Sequence, residues 1–114
     1  MRVYKFEELI SWQKSKILTV EVYKDFLKHK DFGFRDQIMR ASVSVMNNIA
    51  EGFERSTNKD FKHFLFIAKG SAGEVRSMLY VALEVKYINE QRFKELYNLT
   101  VEISKLLSNF IKKL

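Results

Sequence analysis

The stretch of sequence that decides the fold is residues 34–53, which read FRDQIMRASVSVMNNIAEGF. Its apolar residues recur at steps of three and four, the spacing of one face of an α-helix. The first apolar stripe is Ile38, Ala41, Val45, Ile49 and Phe53. A second apolar stripe, rotated by about a third of a turn, is Met39, Val43, Met46 and Ala50. Polar residues take the remaining face, so the pattern predicts an amphipathic helix.

Three more helical segments surround this stretch. The first covers residues 6–28, and the other two cover residues 57–87 and the chain after Asn89. Gly33 is the expected turn residue before the second helix, while Thr57 with Asp60 and Asn89 have the residue types of N-caps. Apolar positions of the first segment are Phe6, Leu9, Ile10, Ile17, Val20, Tyr23 and Leu27. Four helices with short connections predict an all-α, antiparallel, up-down-up-down four-helix bundle, with residues 1–114 as one domain.

Composition narrows the classes of function. The 20 Lys and Arg residues outnumber the 14 Asp and Glu residues, which gives a net charge of +6 and makes polyanions plausible partners. The sequence has no Cys, which excludes disulfides, thiolate metal sites and a cysteine nucleophile. No apolar run reaches the roughly 20 residues of a membrane span. The N-terminus is acidic where a signal peptide is apolar, so we expect a cytoplasmic protein and no membrane partner.

The middle of the chain carries distinctive motifs. Residues 40–44 read RASVS, residues 48–52 read NIAEG, Arg55 follows, and residues 70–74 read GSAGE. These blocks resemble the bacterial four-helix bundle family encoded in intervening sequences of large-subunit ribosomal RNA genes. The resemblance implies a cytoplasmic bacterial protein that forms a left-handed bundle and a homopentamer. The family is distantly similar to the accessory protein of diversity-generating retroelements, which partners a reverse transcriptase and nucleic acid.

The resemblance implies no catalytic residues, because none is established for the family. It assigns the repeated positions to folding or assembly: Asn48, Glu51, Gly52, Arg55, Gly70, Ser71 and Glu74. From the residues themselves, Asn48 lies near the core side, where its amide needs a hydrogen-bond partner. Glu51 has Lys62, Arg55 or a neighbouring subunit as possible partners. The small residues of the GSAGE block predict a close approach by a neighbouring helix or another subunit, and a phosphate cradle is the less favoured alternative.

One outer face of the third helix combines cations with aromatic rings. This basic–aromatic stripe follows steps of four and three through Lys62, Phe66, Lys69, Gly73, Arg76 and Tyr80. Cations can contact phosphates and exposed rings can stack on unpaired bases. Antiparallel pairing places Arg40 near Lys69 and Arg35 near Arg76. The nucleic-acid-binding candidates are therefore Arg40, Lys62, Phe66, Lys69, Arg76 and Tyr80. The alternative is a subunit interface that buries Phe66 and Tyr80.

No metal, cofactor or enzyme active site is predicted. His63 follows Asp60 by three residues, but a carboxylate-bridged metal bundle needs two such pairs and two more inward Glu residues. The only other histidine, His29, has no acidic residue three positions earlier. A polar enzyme site inside the core ranks last, because the stripes are apolar.

The sequence thus favours a non-enzymatic, oligomeric bundle that binds nucleic acid, with structured RNA as the target, through a basic surface. The alternative is a protein-interaction adaptor or scaffold that docks a nucleic-acid-processing partner. The second apolar stripe is wider than a small core needs and independently favours self-association.

Overall fold

Four α-helices follow one another in the computed structural model, which describes residues 2–114. After a short 3₁₀ helix (Phe6–Glu8), the α-helices are α1 (Ile10–Phe26), α2 (Phe32–Phe53), α3 (Asn58–Glu84) and α4 (Glu90–Lys113). Contacts run in ring order, with α1 on α2, α2 on α3, α3 on α4 and α4 on α1, and no diagonal pair is in contact within the described residues. The predicted antiparallel four-helix bundle is confirmed.

The first residues of the helices test the predicted N-caps and the predicted turn at Gly33. Thr57 Oγ1 accepts a hydrogen bond from the Asp60 backbone N–H at 3.1 Å, and Asn89 Oδ1 accepts one from that of Arg92 at 2.8 Å. Both predicted N-caps are confirmed. The prediction for Gly33 is wrong, because Gly33 lies inside α2. Asp31 caps α2 instead, accepting from the Phe34 N–H at 3.2 Å.

Helix α1 differs most from its prediction. It begins at Ile10, and its buried face is Ser11, Ser15, Leu18, Thr19, Val22 and Phe26. Ile10, Ile17, Val20 and Leu27, which the pattern placed in the core, are exposed. The buried hydroxyls are satisfied locally: Ser15 Oγ donates to the Ser11 carbonyl at 2.7 Å, and Thr19 Oγ1 contacts the Ser15 and Ser42 carbonyls at 2.9 and 3.0 Å. Satisfied hydroxyls can be buried at little cost, so small polar residues take the inner face.

The other three helices bury apolar faces, and the first apolar stripe of α2 is buried except for the half-buried Phe53. In α2 and α3 the buried apolar side chains are Ile38, Ala41, Val45, Ile49, Leu65, Ala68, Ala72, Val75, Leu79 and Ala82. In α4 they include Leu96, Ile103 and Leu107. These side chains form one continuous core along the bundle axis.

The end of α2 packs tightly against the start of α3 at Gly52. A Cβ atom added at Gly52 would lie 2.8 Å from Phe64 Cβ and 2.9 Å from Phe61 Cδ1. Gly70 and Gly73 differ, since an added Cβ would meet nothing within 4 Å. The expected close approach of a neighbouring helix to the GSAGE glycines is therefore wrong within this chain. Approach by another subunit stays a prediction.

We predict opposite effects of alanine at two glycines. Gly52→Ala lowers the free energy of unfolding by about 1–3 kcal/mol, the usual cost of overpacking. Gly70→Ala raises it by about 1 kcal/mol, because exposed helical alanine is favoured over glycine. Urea denaturation at one protein concentration measures both. Equal shifts for the two variants would show that Gly52 is not at a tight contact.

Candidate nucleic-acid interface

The motif residues lie along the contact between α2 and α3. Asn48 Nδ2 donates to the Ser44 carbonyl at 2.8 Å and to Ser44 Oγ at 2.9 Å. Ser44 Oγ in turn shares a 2.9 Å hydrogen bond with Ser71 Oγ of α3. Two helical turns away, Gln37 Nε2 donates to Glu74 Oε2 at 3.3 Å. We call this contact, together with Gly52, the α2–α3 seam.

The end of the seam holds the remaining motif residues. Glu51 Oε2 lies 3.2 Å from Arg55 Nε, so Arg55 rather than Lys62 is its partner. The Arg55 guanidinium lies 4.8 Å from the centre of the Phe64 ring. Of the seven motif positions, all except Gly70 therefore take part in contacts within the chain.

The basic–aromatic stripe lies on the other side of α3 and faces α4. Arg76 Nη1 donates to Ser104 Oγ of α4 at 3.4 Å. The Tyr80 ring centre lies 5.2 Å from that of Phe93 and 5.8 Å from that of Tyr97, both on α4. Ser71 is on the seam side of α3, so the stripe and the seam occupy opposite flanks of one helix.

Arg40 is separated from the stripe. It follows Gln37 by three residues and precedes Ser44 by four, which places it on the seam side of α2. Arg35 pairs with Asp36 at 2.9 Å, while Arg76 turns toward α4. The hydrogen bond between Gln37 and Glu74 shows that α2 and α3 pair in the expected antiparallel register along the bundle axis. The expected joining of Arg40 with Lys69 and of Arg35 with Arg76 into one patch is wrong, because α3 lies between the two flanks.

Helix α4 extends the stripe into a wider surface. A recess of about 350 Å³ between the helices is lined by Arg76, Val101, Ser104, Lys105, Ser108 and Asn109. A second recess of about 460 Å³ is lined by Asn58, Lys59, Lys62, His63, Phe66 and Leu114. Lys94 and Lys112 share the outer face of α4 with Lys105 at helical spacing. We define the α3/α4 basic face as Lys59, Lys62, Lys69, Arg76, Lys94, Lys105 and Lys112.

The sequence alone identifies five of these seven cations. Lys62, Lys69 and Arg76 are binding candidates, and Lys105 and Lys112 are interpreted as C-terminal residues that favour the helix end, with an extended basic rim as the alternative. Lys59 and Lys94 were missed, and the signal for Lys94 is its helical spacing from Lys105 and Lys112 on one face of α4.

Ion pairing leaves the basic face uncompensated. None of its seven cations forms an ion pair within residues 2–114. On α4, Glu102 pairs with Lys14 of α1 at 3.5 Å and Glu95 pairs with Arg92 at 3.3 Å. These two carboxylates of α4 are therefore engaged on the side of the helix that faces α1, whereas Glu84 and Glu90 lie at the α3–α4 turn.

Arg92 of α4 pairs with three carboxylates, those of Glu21, Asp25 and Glu95. Its Nε lies 2.6 Å from Asp25 Oδ2 and its Nη2 lies 2.8 Å from Glu21 Oε1. Burial acts to lower the pKa of Arg92, but the hydrogen bonds to Asp25 and Glu21 outweigh it and raise the pKa above its usual value. The hydrogen bond from Arg92 lowers the pKa of Glu21 below 4.5, with help from Lys24. This cluster pins α1 to α4 by charge.

Aromatic rings end the basic face near the α3–α4 turn. Phe93 and Tyr97 stack with ring centres 5.4 Å apart at 28°, and Tyr80 meets both edge-on. A hydrogen bond with Tyr97 raises the pKa of Tyr80 above 10.0, so Tyr80 is neutral at physiological pH. Tyr80 is 51% exposed and Phe66 is 55% exposed. We call Tyr80, Phe93 and Tyr97 the aromatic cluster.

The opposite edge of the bundle is apolar. A groove of about 580 Å³ between α1 and α2 is lined by Thr19, Val20, Tyr23, Lys24, Leu27, Val43, Met46 and Asn47. Val43 and Met46 belong to the second apolar stripe, and Val20 and Leu27 are among the exposed residues of α1. In ring order this α1/α2 apolar groove is opposite the α3/α4 basic face.

The described residues hold neither a metal-binding cluster nor a membrane-spanning helix. Within residues 2–114, no group of three or more His, Cys, Asp or Glu residues is placed to hold a metal ion. The helices of this same part of the chain include none that is long and apolar enough to span a bilayer.

The sequence profile of the 23S rRNA-intervening sequence proteins matches residues 7–109. The chain belongs to this family. A crystal structure of a protein of unknown function from the S23 ribosomal protein family of Bacteroides thetaiotaomicron is similar, with 30% sequence identity and a TM-score of 0.85. The similarity covers 90% of this chain and 99% of the Bacteroides chain. No curated protein matches the sequence. The resemblance inferred from the motifs is confirmed, and neither matching description names an enzymatic activity.

We predict that the Arg92 cluster makes stability depend on acid pH. Because the folded-state pKa of Glu21 lies below 4.5, its pairing with Arg92 stabilises the fold above that value and is lost as the pH falls through the folded pKa. Arg92→Gln should lower the midpoint of thermal unfolding at neutral pH. The difference in midpoint between this variant and the parent protein should shrink as the pH falls below 4.5.

Thermal unfolding across a pH series measures this effect. Lys94→Gln, two residues further along α4 on its exposed face and outside the cluster, removes the same charge and should have little effect at any pH. A difference between Arg92→Gln and the parent protein that stays constant down to low pH would contradict the role of the ion pairs.

Proposed function

We propose that this protein is a non-enzymatic, oligomeric bundle that binds nucleic acid, with structured RNA as its target, through the α3/α4 basic face. One observation carries the proposal: seven cations lie on one edge of the bundle with no carboxylate paired to them. Seven of the 20 cationic residues lie on this face. Glu84, four residues after Tyr80 on the same side of α3, is a carboxylate at its aromatic end.

The shape and chemistry of the face suit a phosphate backbone. Lys62 and Arg76 are fourteen residues apart on α3, which corresponds to about 21 Å along the helix. A row of this length can contact several phosphates of one strand, and each contact releases counterions. Ser104, Ser108 and Asn109 add uncharged hydrogen-bonding groups between the cations. RNA binding of this kind needs no catalytic group. We propose that the protein acts in the cytoplasm.

Self-association completes the proposal. The α1/α2 apolar groove exposes Val20, Tyr23, Leu27, Val43 and Met46 on the edge away from the basic face. Burial of this groove against further copies, five in all as the family resemblance implies, leaves the basic faces free. Repeated basic faces on one particle raise the apparent affinity for a long RNA through multivalency.

The same groove favours a second candidate function. An apolar groove between two helices can receive an amphipathic helix of another protein. In that case the protein is an adaptor that docks a nucleic-acid-processing partner. The two functions predict different oligomeric states and RNA affinities, since an adaptor is monomeric when alone and binds RNA weakly.

We predict a salt-dependent RNA affinity that maps to the basic face. The probe is a labelled RNA hairpin with an unpaired loop and tail, measured by fluorescence anisotropy across a salt series. Replacing Lys62, Lys69 and Lys105 together by Gln should reduce the slope of log affinity against log salt by about 2, at about 0.7 per phosphate contact.

A matched triple variant controls for net charge. Lys16→Gln, Lys28→Gln and Lys30→Gln remove the same three charges from α1 and the α1–α2 turn, and the slope should stay near that of the parent. Equal losses in both triple variants would mean that binding follows net charge alone. Absence of binding by the parent protein at low salt would remove the proposed function.

We predict that one charge in the α1/α2 apolar groove disrupts self-association. Val20→Glu should convert the oligomer to monomers in sedimentation velocity, because it buries a carboxylate in an apolar interface. Val81→Glu is the matched control, since Val81 is 50% exposed on α3 and Val20 is 45% exposed on α1. A parent protein that sediments as a monomer would contradict self-association and favour the adaptor.

A further inference from the structure

The aromatic cluster and the recess lined by Arg76 and Lys105 adjoin each other on the α3/α4 basic face. Tyr80 follows Arg76 by one helical turn on the same side of α3. Across the groove, Tyr97 precedes Val101 by four residues and Ser104 by seven, so it lies on the side of α4 that lines the recess. The aromatic cluster and the recess therefore form one continuous strip, with rings at one end and cations at the other.

The aromatic end is held in place and remains open. Tyr80 is fixed by edge contacts with Phe93 and Tyr97, whose ring centres lie 5.2 and 5.8 Å away. Phe93 and Tyr97 are half-buried and fill the space between α3 and α4, whereas half of Tyr80 stays exposed. A ring held in this way loses little conformational freedom when a flat partner stacks on it.

The cationic end has the groups that bind a phosphate. Arg76 and Lys105 supply charged donors, and Ser104, Ser108 and Asn109 supply neutral ones. No carboxylate lines this recess, so an anion there meets no repulsion from its walls. The Arg76–Ser104 contact is long at 3.4 Å and leaves most of the guanidinium donors available.

We propose that this strip binds an unpaired nucleotide. Its base stacks on the exposed part of Tyr80, and an adjacent phosphate accepts hydrogen bonds from Arg76 and Lys105. The proposal rests on the proposed function and narrows its target to single-stranded segments of a structured RNA. Phe66 lies fourteen residues before Tyr80, about 21 Å along α3, and offers a second stacking position beyond Lys69.

Duplex stems cannot use the aromatic end. In A-form RNA the bases are paired and stacked, and the deep, narrow major groove does not admit side chains. A duplex can therefore reach only the cations, while an unpaired strand uses both ends of the strip. The expected result is a preference for single strands that depends on Tyr80.

The test compares two labelled RNAs with the full chain by fluorescence anisotropy. One is an unstructured RNA of about 12 nucleotides, within the site sizes of single-strand binders, and the other is a blunt duplex of the same length. Tyr80→Leu should weaken binding of the single strand by about five- to a hundredfold, the range of one base–aromatic stacking contact. Binding of the duplex should be unchanged, and Tyr80→Phe, which keeps the ring, should bind the single strand like the parent.

Tyr4→Leu is the matched control, because Tyr4 is an exposed tyrosine far in sequence from the strip. Circular dichroism melts confirm that each variant is folded. Salt-dependent binding by the parent with no effect of Tyr80→Leu on the single strand would overturn this inference and leave the proposed function standing. An equal loss for duplex and single strand would also overturn it. Failure of the parent to bind either RNA at low salt would remove both.

Discussion

The tight contact of Gly52 with Phe61 and Phe64 is the constraint on which the rest of the structure depends. It brings the end of α2 against the start of α3 and sets how the two helices pair. The Asn48–Ser44–Ser71 hydrogen bonds and the Gln37–Glu74 bond then hold that pairing along the α2–α3 seam. Because the seam occupies one flank of α3, the other flank, with Arg76 and Tyr80, faces α4.

Charge is then divided between the edges of the bundle. Arg92 draws Asp25, Glu21 and Glu95 to the α1–α4 contact, and Lys14 engages Glu102 there. The α3/α4 basic face keeps its cations without partners as a consequence. The α1/α2 apolar groove lies on the opposite edge, so the proposed self-association and the proposed RNA binding use different surfaces.

The sequence predicted the buried face of a helix correctly where the residues that are buried are also the apolar ones. The stripes of α2, α3 and α4 are apolar, and the caps at Thr57 and Asn89 are local signals. The predicted buried face of α1 was wrong because Ser11 and Ser15 are buried, and the hydrogen bond between them is not visible in hydropathy. The candidate site was predictable in part, because helical spacing groups Lys62, Phe66, Lys69, Arg76 and Tyr80 on one helix. Only the packed bundle shows that Lys105 lines the same recess as Arg76 and that Arg40 lies on the other flank of α3.

The most direct test of the basic face is lysine footprinting with and without RNA. A lysine-acetylating reagent modifies exposed amines, and mass spectrometry reads the extent at each position. The account predicts that RNA protects Lys62, Lys69 and Lys105 of the α3/α4 basic face, while Lys16 and Lys28 react as before. Uniform protection of all lysines, or protection confined to the α1 side, would contradict it.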